Sequence, residues 1–471
     1  MAGASSLKRR SAIAIALLAL SAQEVRAQDA PNPDRVNQDE LASFYGRMNV
    51  VVGSGARALG MGGAFLARAD DATAASWNPA GLSYLRRTEV SLVGVQNNFS
   101  QTVTRTSTDS VTGADDSDRL VDRLQGAVAD FVGVVLPFRL KGRAGAVQGS
   151  YQRSFSFTGT RRNEGPVATR GFATAGERVF PTDFTVDGEG GFDTISLSSG
   201  IEVNPRVRLG LSLNRWVRGF SQTVTRPNIQ NPNGFREIAS TWDISGTNVN
   251  LGLLLTPTER LNLGAVLKTP FTAGVDLAKR RTDPKPTAPD DRTSNSASGN
   301  VLIRFPRVYG LGASLRVTNT LTFSADFTRT AWSKSTITNF FTLGPGEANI
   351  DRYPLLPFPA VESEDGQVDA NQIRMGGEWV IRRGSSGNIL FPIRAGFFRD
   401  GQPFRSAGKA PVFTGLTVGA GITIGSVLFD VAYIREMGDV NSTVISGQTG
   451  PLEVRYNRLF ASMIVRFGPR R

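Results

Sequence analysis

RVRLGLSLNRW, residues Arg206 to Trp216, decides the architecture. In an extended chain Val207, Leu209, Leu211 and Leu213 fall on one face and Arg208, Gly210, Ser212 and Asn214 on the other. Alternation with period two marks a strand with one apolar face, whereas helical spacing would scatter these leucines around the axis. The pattern recurs at Leu321, Phe323, Ala325 and Phe327 against Thr322, Ser324, Asp326 and Thr328, and at Leu416, Val418, Ala420 and Ile422 against Thr417, Gly419 and Gly421.

Outward from that stretch, similar segments run from Thr88 to Phe467, about 14 in all, an even number within the range of bacterial outer-membrane barrels. The connections alternate in length. Tight turns fall at Arg139 to Gly142, Asn204-Pro205, Pro257-Thr258, Thr318-Asn319, Arg383 to Asn388 and Gly425. Long polar connections fall at Asn97 to Gly126, Thr158 to Gly191, Gly219 to Ser245, Leu277 to Gly299, Ser333 to Ala370, Asp400 to Pro411 and Met437 to Tyr456. Outer-membrane barrels pair short periplasmic turns with long external loops, so this rhythm predicts both termini in the periplasm. A β-sandwich has no reason to keep it.

The N-terminus fits export. Lys8, Arg9 and Arg10 precede an apolar run from Ala12 to Leu20, and Val25-Arg26-Ala27 makes a small-residue cleavage site, so residues 1–27 are predicted to be a signal peptide. That run is short of the roughly 20 residues a spanning helix needs. The sequence contains no cysteine and no histidine. An exported chain without disulfides needs a large core or a closed sheet, and the lack of imidazole removes the commonest general base and metal ligand. We therefore expect no enzyme, no cofactor and no metal site. Cleavage lowers the formal charge from +12 to about +9. The basic groups are scattered, which speaks against nucleic acid; a solvated surface, an anionic lipopolysaccharide surface and an anionic substrate stay open.

The exception to the strand pattern is Val51 to Leu85, VVGSGARALGMGGAFLARADDATAASWNPAGLSYL. Its glycines suit a compact irregular segment packed inside another structure. Gly60-Met61-Gly62-Gly63-Ala64, Ala69-Asp70-Asp71-Ala72 and Asn78-Pro79-Ala80-Gly81-Leu82, in that order, resemble the N-terminal hatch of the outer-membrane long-chain fatty-acid transporter (FadL-type) family. The resemblance continues at Pro306 to Gly312, at Ser324-Ala325-Asp326 with Trp332-Ser333, at Arg394 to Phe397, and at Gly415 to Gly421 with Asp430 to Tyr433. The expected fold is thus all-β: a 14-stranded antiparallel transmembrane β-barrel with an N-terminal hatch plugging the lumen. Residues 28–87 are the expected lead and hatch and residues 88–471 the barrel.

The resemblance implies passive transport of a hydrophobic small molecule, a long-chain fatty acid or an aromatic hydrocarbon, across the outer membrane, with an N-terminal hatch that blocks the pore and is held by its Asn-Pro-Ala turn. The rival function is an outer-membrane anchor for secretion or assembly of other proteins. On the transporter reading Gly60, Gly62, Gly63, Asp70, Asp71, Asn78, Pro79 and Ala80 form the hatch site, with Asp70, Asp71 and Asn78 bonding the inner wall or, for the two aspartates, facing water. Alternation points Arg374, Arg208 and Lys268 into the lumen, either as partners for an acidic headgroup or as partners of Glu378, Asp326 and the hatch. Phe340, Phe341, Leu355, Leu356 and Phe358 make the loop from Asn339 to Val361 unusually apolar, for capture or as a lid. The family releases its cargo sideways through a kinked third strand. Here that strand holds Gly145 and Gly149, which suit a bend or space for the plug.

Trp216, Trp332 and Trp379 are assigned to the interfacial girdles rather than to ligand stacking. Asp115, Asp116 and Asp118 read as a solvated turn rather than a calcium loop, and Lys279, Arg280 and Arg281 as exposed loop. Leu459, Ala461, Met463, Val465 and Phe467 share one face of the last strand, resembling the signal read by the barrel assembly machinery; the tail Gly468 to Arg471 departs from it.

Overall fold

A computed structural model describes residues 53–108, 115–164, 185–228, 231–285, 288–338, 368–383, 389–403, 405, 409–444 and 448–468. The predicted signal peptide, the lead up to residue 52, and Phe340, Phe341, Leu355, Leu356 and Phe358 lie outside these. The fold is a single closed antiparallel sheet.

Its staves begin with β1 (Thr88–Thr108) and β2 (Asp115–Leu140). The third is broken into β3 (Arg143–Ser156) and β4 (Gly159–Glu164). Next come β5 (Thr185–Asn204), the interrupted pair β6 (Val207–Val217) and β7 (Gly219–Asn228), and β8 (Asn231–Thr258). Three broken staves follow: β9 (Leu261–Lys268) with β10 (Phe271–Lys285), β11 (Ala288–Phe305) with β12 (Val308–Arg316), and β13 (Leu321–Thr330) with β14 (Thr336–Thr338). Five unbroken strands complete the wall: β15 (Ala370–Arg383), β16 (Ile389–Gly401), β17 (Val412–Ile424), β18 (Val427–Val444) and β19 (Gln448–Phe467). The 19 segments thus make 14 staves, and β1 pairs with both β2 and β19, which closes the barrel.

Alternation sets inside and outside as expected. Leu209, Leu211 and Leu213 are 47, 50 and 49% exposed, whereas Arg208, Ser212 and Asn214 between them are buried. Among the described residues no strand is left as a free edge, the closure that a hydrocarbon environment requires.

The breaks have local causes. Thr269-Pro270 and Pro306-Arg307 interrupt their staves where proline cannot donate to the ladder. Arg218, at φ 65°, turns β6 into β7. The long polar connections are a correction: β1 pairs with β2 out to Thr108 and Asp115, and β18 with β19 out to Val444 and Gln448. With water available to both faces, those ladder residues have no reason to alternate, so period two misses them. Lys279 and Arg281, expected in an exposed loop, lie in β10 with their side chains buried, and Asp115, Asp116 and Asp118 belong to β2.

The segment before β1 holds two single-turn helices, α1 (Ala56–Leu59) and α2 (Ala74–Trp77), and a 3-10 helix over Pro79–Tyr84. It packs against the inward face of the wall. Met61, Phe65, Leu66, Trp77 and Leu82 are essentially inaccessible to solvent.

Candidate functional site

The inner segment sits in a seat of small residues. Inward-facing Gly210, Gly252, Gly264, Gly312, Gly376 and Gly396 meet Ala80, Asn78, Leu66, Ala67, Met61 and Gly62 so closely that an added Cβ at any of them would collide. Gly62 and Gly63 take φ of 69° and 77°, a conformation that favours glycine.

Asn78 shows why Asn-Pro-Ala is used. Its Oδ1 accepts from the Ala80 N–H at 3.1 Å and caps the 3-10 helix, while its Nδ2 donates to the carbonyls of Leu66 (2.9 Å) and Leu253 of the wall (3.1 Å). Pro79 occupies the first helical position, where a missing N–H costs nothing.

Charged groups fasten the other side. Glu378 of β15 accepts from Arg57 Nε (3.2 Å), Arg394 Nε (2.8 Å) and Arg68. Arg394 also donates to Asp430 at 2.6 Å, and Asp326 accepts from the N–H groups of Phe65 (2.6 Å) and Leu66 (2.8 Å). Burial of Glu378, Arg394 and Asp430 is tolerable because each is ion-paired, whereas Asp326 is held by backbone N–H groups alone. Asp70 and Asp71 bond within the segment, to Arg57 at 2.7 and 3.2 Å, rather than to the wall. Burial opposes the Arg57 charge, but Asp70, Glu378 and Asp71 outweigh it and hold that guanidinium well above its ordinary pKa.

The structure does not gather the three predicted cations. Arg374 donates to Asp400 (2.7 Å) and to the Gly62 carbonyl (3.0 Å) over the Phe398 ring. Arg208 donates to Glu202 (3.1 Å) and Thr256 (3.2 Å) over the Tyr84 ring. Lys268 instead lines a cavity of about 70 Å³ with Gln152, Asn214, Asn248 and Asn250 of the wall and Ala75 and Ser76 of the inner segment. The amides are linked: Asn214 Nδ2 donates to Asn248 Oδ1 (3.3 Å), and Asn248 Nδ2 to Asn250 Oδ1 (3.2 Å).

Next to this cavity the wall is irregular. Pairing of β2 with β3 stops at Phe131 opposite Gln152 and resumes with β4 only at Gln125 opposite Thr160. Register shifts flank the gap: Asp130 is skipped between β1 and β2, and Ser154 between β3 and β5. A bulge reverses which side chains point inward, so Phe155 and Phe157 enter the lumen. The bend thus falls at Ser154. Gly145 and Gly149 lie lower, in regular pairing with β2 and β5 and on the outward face, where alternation leaves no lumen for them to widen.

Phe155 and Phe157 each start an aromatic cluster. Phe157 meets Phe220 at 4.1 Å between centroids, and Phe220 stacks on Trp242 at 5.6 Å. Phe155 meets Trp216 at 6.0 Å, and Trp216 leads to Phe305 (5.0 Å), which stacks on Phe271 (4.7 Å). Trp216 is therefore not a girdle residue: it points inward and donates to Asn248 Oδ1 at 2.9 Å. Trp332 is buried in a 3-10 turn, and only Trp379, 54% exposed, lies on the outer face. Parity already placed Trp216 with Arg208 and Asn214 rather than with the leucines.

Ser54 joins the inner segment to the gap. Its hydroxyl donates to Asp130, its N–H to Ser76 Oγ (3.0 Å), and its carbonyl accepts from Trp77 Nε1 (2.7 Å). Apolar rings above, amides and an amine below, and a gap beside them suit binding and passage of an amphipathic or apolar molecule.

No protein-family model and no curated protein matches this chain. Solved structures do. A FadL homologue from Pseudomonas aeruginosa aligns over 88% of this chain and 99% of its own, at 14% identity and TM-score 0.58. The toluene transporter TbuX of Ralstonia pickettii aligns over 89% and 100% at 15% identity and TM-score 0.53, and the P. putida toluene transporter TodX over 89% and 100% at 12% and 0.52. This chain has the fold of the FadL-type barrels.

Proposed function

We propose that this FadL-type barrel lies in the bacterial outer membrane with both termini periplasmic and conducts hydrophobic small molecules, long-chain fatty acids or aromatic hydrocarbons, down their gradient. The observation that carries the reading is the pair of aromatic clusters inside the lumen, each begun by a residue that the Ser154 bulge turns inward beside an unpaired stretch of wall. Removing apolar surface from water supplies the driving force, roughly 25 cal/mol per Å². The solute is gathered at the outer loops, passes the rings, and leaves through the gap between β2 and the third stave. The inner segment is the hatch. Its Ser54–Asp130 contact at that gap makes hatch movement and exit one event.

Lys268 and its amide neighbours would hold an acidic headgroup while the rings hold the tail. Arg374 and Arg208, tied to carboxylates and to the hatch region, serve the seat. The fold of the solved hydrocarbon channels supports the reading. The test is uptake of labelled oleate and toluene at low concentration by a deletion strain and by the same strain with the gene restored. Uptake that does not depend on the protein, together with loss of another protein from the cell surface, would favour the anchor.

A further inference from the structure

We infer that the outward face of β16 to β19 is a binding surface for the phosphorylated glycolipid of the outer leaflet, built on Arg399, Arg435 and Arg455. This rests on the orientation just proposed, in which the strand ends that carry the long connections lie outside the cell.

The register places the three together. Arg399 of β16 lies opposite Thr414 of β17, Thr414 opposite Met437 of β18, and Met437 opposite Arg455 of β19. Arg435 is the next outward position below Met437. Strands lie about 4.8 Å apart and alternate residues about 7 Å, so Arg435 and Arg455 are roughly 8 Å apart at Cα and Arg399 roughly 14 Å from Arg455. All three side chains are exposed.

Directly below them runs the lipid-facing band, with Phe397, Leu416, Tyr433 and Leu459 all exposed. Charges on this face are tolerated only where the hydrocarbon ends. Arg455 shares Glu453 at 2.7 Å, but among the described residues Arg399 and Arg435 have no carboxylate partner. Arg329 shows what a satisfied rim arginine looks like, paired with Asp369 at 2.7 Å.

Unpaired guanidinium groups at the edge of an acyl-chain surface fit a lipid whose head carries phosphate. The planar fork takes two phosphate oxygens at once, and basic clusters at this depth bind anionic lipid heads. Two phosphates on one sugar head would use the separated cations together, with the acyl chains lying down the apolar band. The occupant is therefore bisphosphorylated lipid A.

The test uses the full chain in detergent, with binding read by native mass spectrometry. The probes are bisphosphoryl lipid A, monophosphoryl lipid A and inorganic phosphate. The wild type is expected to bind the bisphosphoryl lipid at least tenfold better than the monophosphoryl form and to ignore free phosphate. R399Q/R435Q is expected to lose at least tenfold while keeping its heat-modifiable band on gels and its oleate uptake, so that failure here is separable from failure of transport. R382Q/R383Q, at the opposite end of β15, is expected to bind normally. Undiminished binding by R399Q/R435Q, or equal binding of free phosphate, overturns the site. Loss confined to R382Q/R383Q overturns it by inverting the orientation beneath it.

Discussion

The two halves of the barrel wall treat the hatch differently. Along β15 to β18 every stave is continuous, and the wall meets the hatch through Glu378, Arg374 and Thr417, a set of directed bonds in which Arg394 and Asp430 back Glu378 from within the wall. From β3 to β12 four staves are broken, the lumen is lined with rings and amides, and a cavity remains between hatch and wall. One half anchors by charge; the other, with β2 beside it, touches the inner segment through Gly210, Gly252 and Gly264 and the Asn78 and Ser54 bonds, and leaves a cavity. A plug held by ion pairs on one side and by uncharged contacts around a cavity on the other has its weaker hold on the uncharged flank.

The sharpest way to break this contrast is Glu378→Ala. It strands Arg68 and takes one carboxylate from Arg57 and Arg394, and removing one member of a buried charge network costs about 3–5 kcal/mol. A lower unfolding temperature and sensitivity to large antibiotics are expected. An unchanged protein would mean that the anchored half anchors nothing. On the open half, F157A/F220A removes the Phe157–Phe220 contact and the contacts of these rings with Phe192 and Trp242 without touching a charge. Toluene and oleate uptake should fall about tenfold with the fold intact, since an aromatic pair is worth about 0.5–1.5 kcal/mol beyond its buried area. Loss of folding instead would make the rings a core.

How much of this contrast could be read beforehand follows from what period two can report. It marks which face of a strand meets lipid, so Leu209, Leu211 and Leu213 were legible as outer residues and Arg208, Asp326 and Glu378 as inner ones. The enclosed inner segment was legible because Gly60, Gly62, Asn78 and Pro79 solve backbone problems that few other residues solve. The inner rings were not. Phe155 and Phe157 point inward only because Ser154 is skipped, and a one-residue bulge leaves no mark in composition. The partners of Arg57 were equally hidden, because Glu378 lies 321 positions away and only closure brings it near.

Two smaller changes sharpen the comparison. Asn78→Ala removes a helix cap and two carbonyl contacts, so stability should drop by about 1 kcal/mol in a denaturant titration. Ser54→Ala cuts the link between hatch and gap while leaving the anchored half alone. A single hydrogen bond nets about 0.5–1.5 kcal/mol, so uptake should rise roughly two- to tenfold if that link restrains opening. A fall in uptake would show that Ser54 guides the solute rather than the hatch.

The link between hatch and wall has one further consequence. The 3-10 helix ends at Tyr84 and the first strand begins at Thr88. Only Leu85, Arg86 and Arg87 intervene, about 10 Å of chain at full stretch. So short a leash keeps Tyr84 beside the first residue of β1, so any swing of the inner segment has to pivot at that rim. On the proposed transport reading, opening would then be a hinge at Leu85, Arg86 and Arg87 rather than loss of the plug.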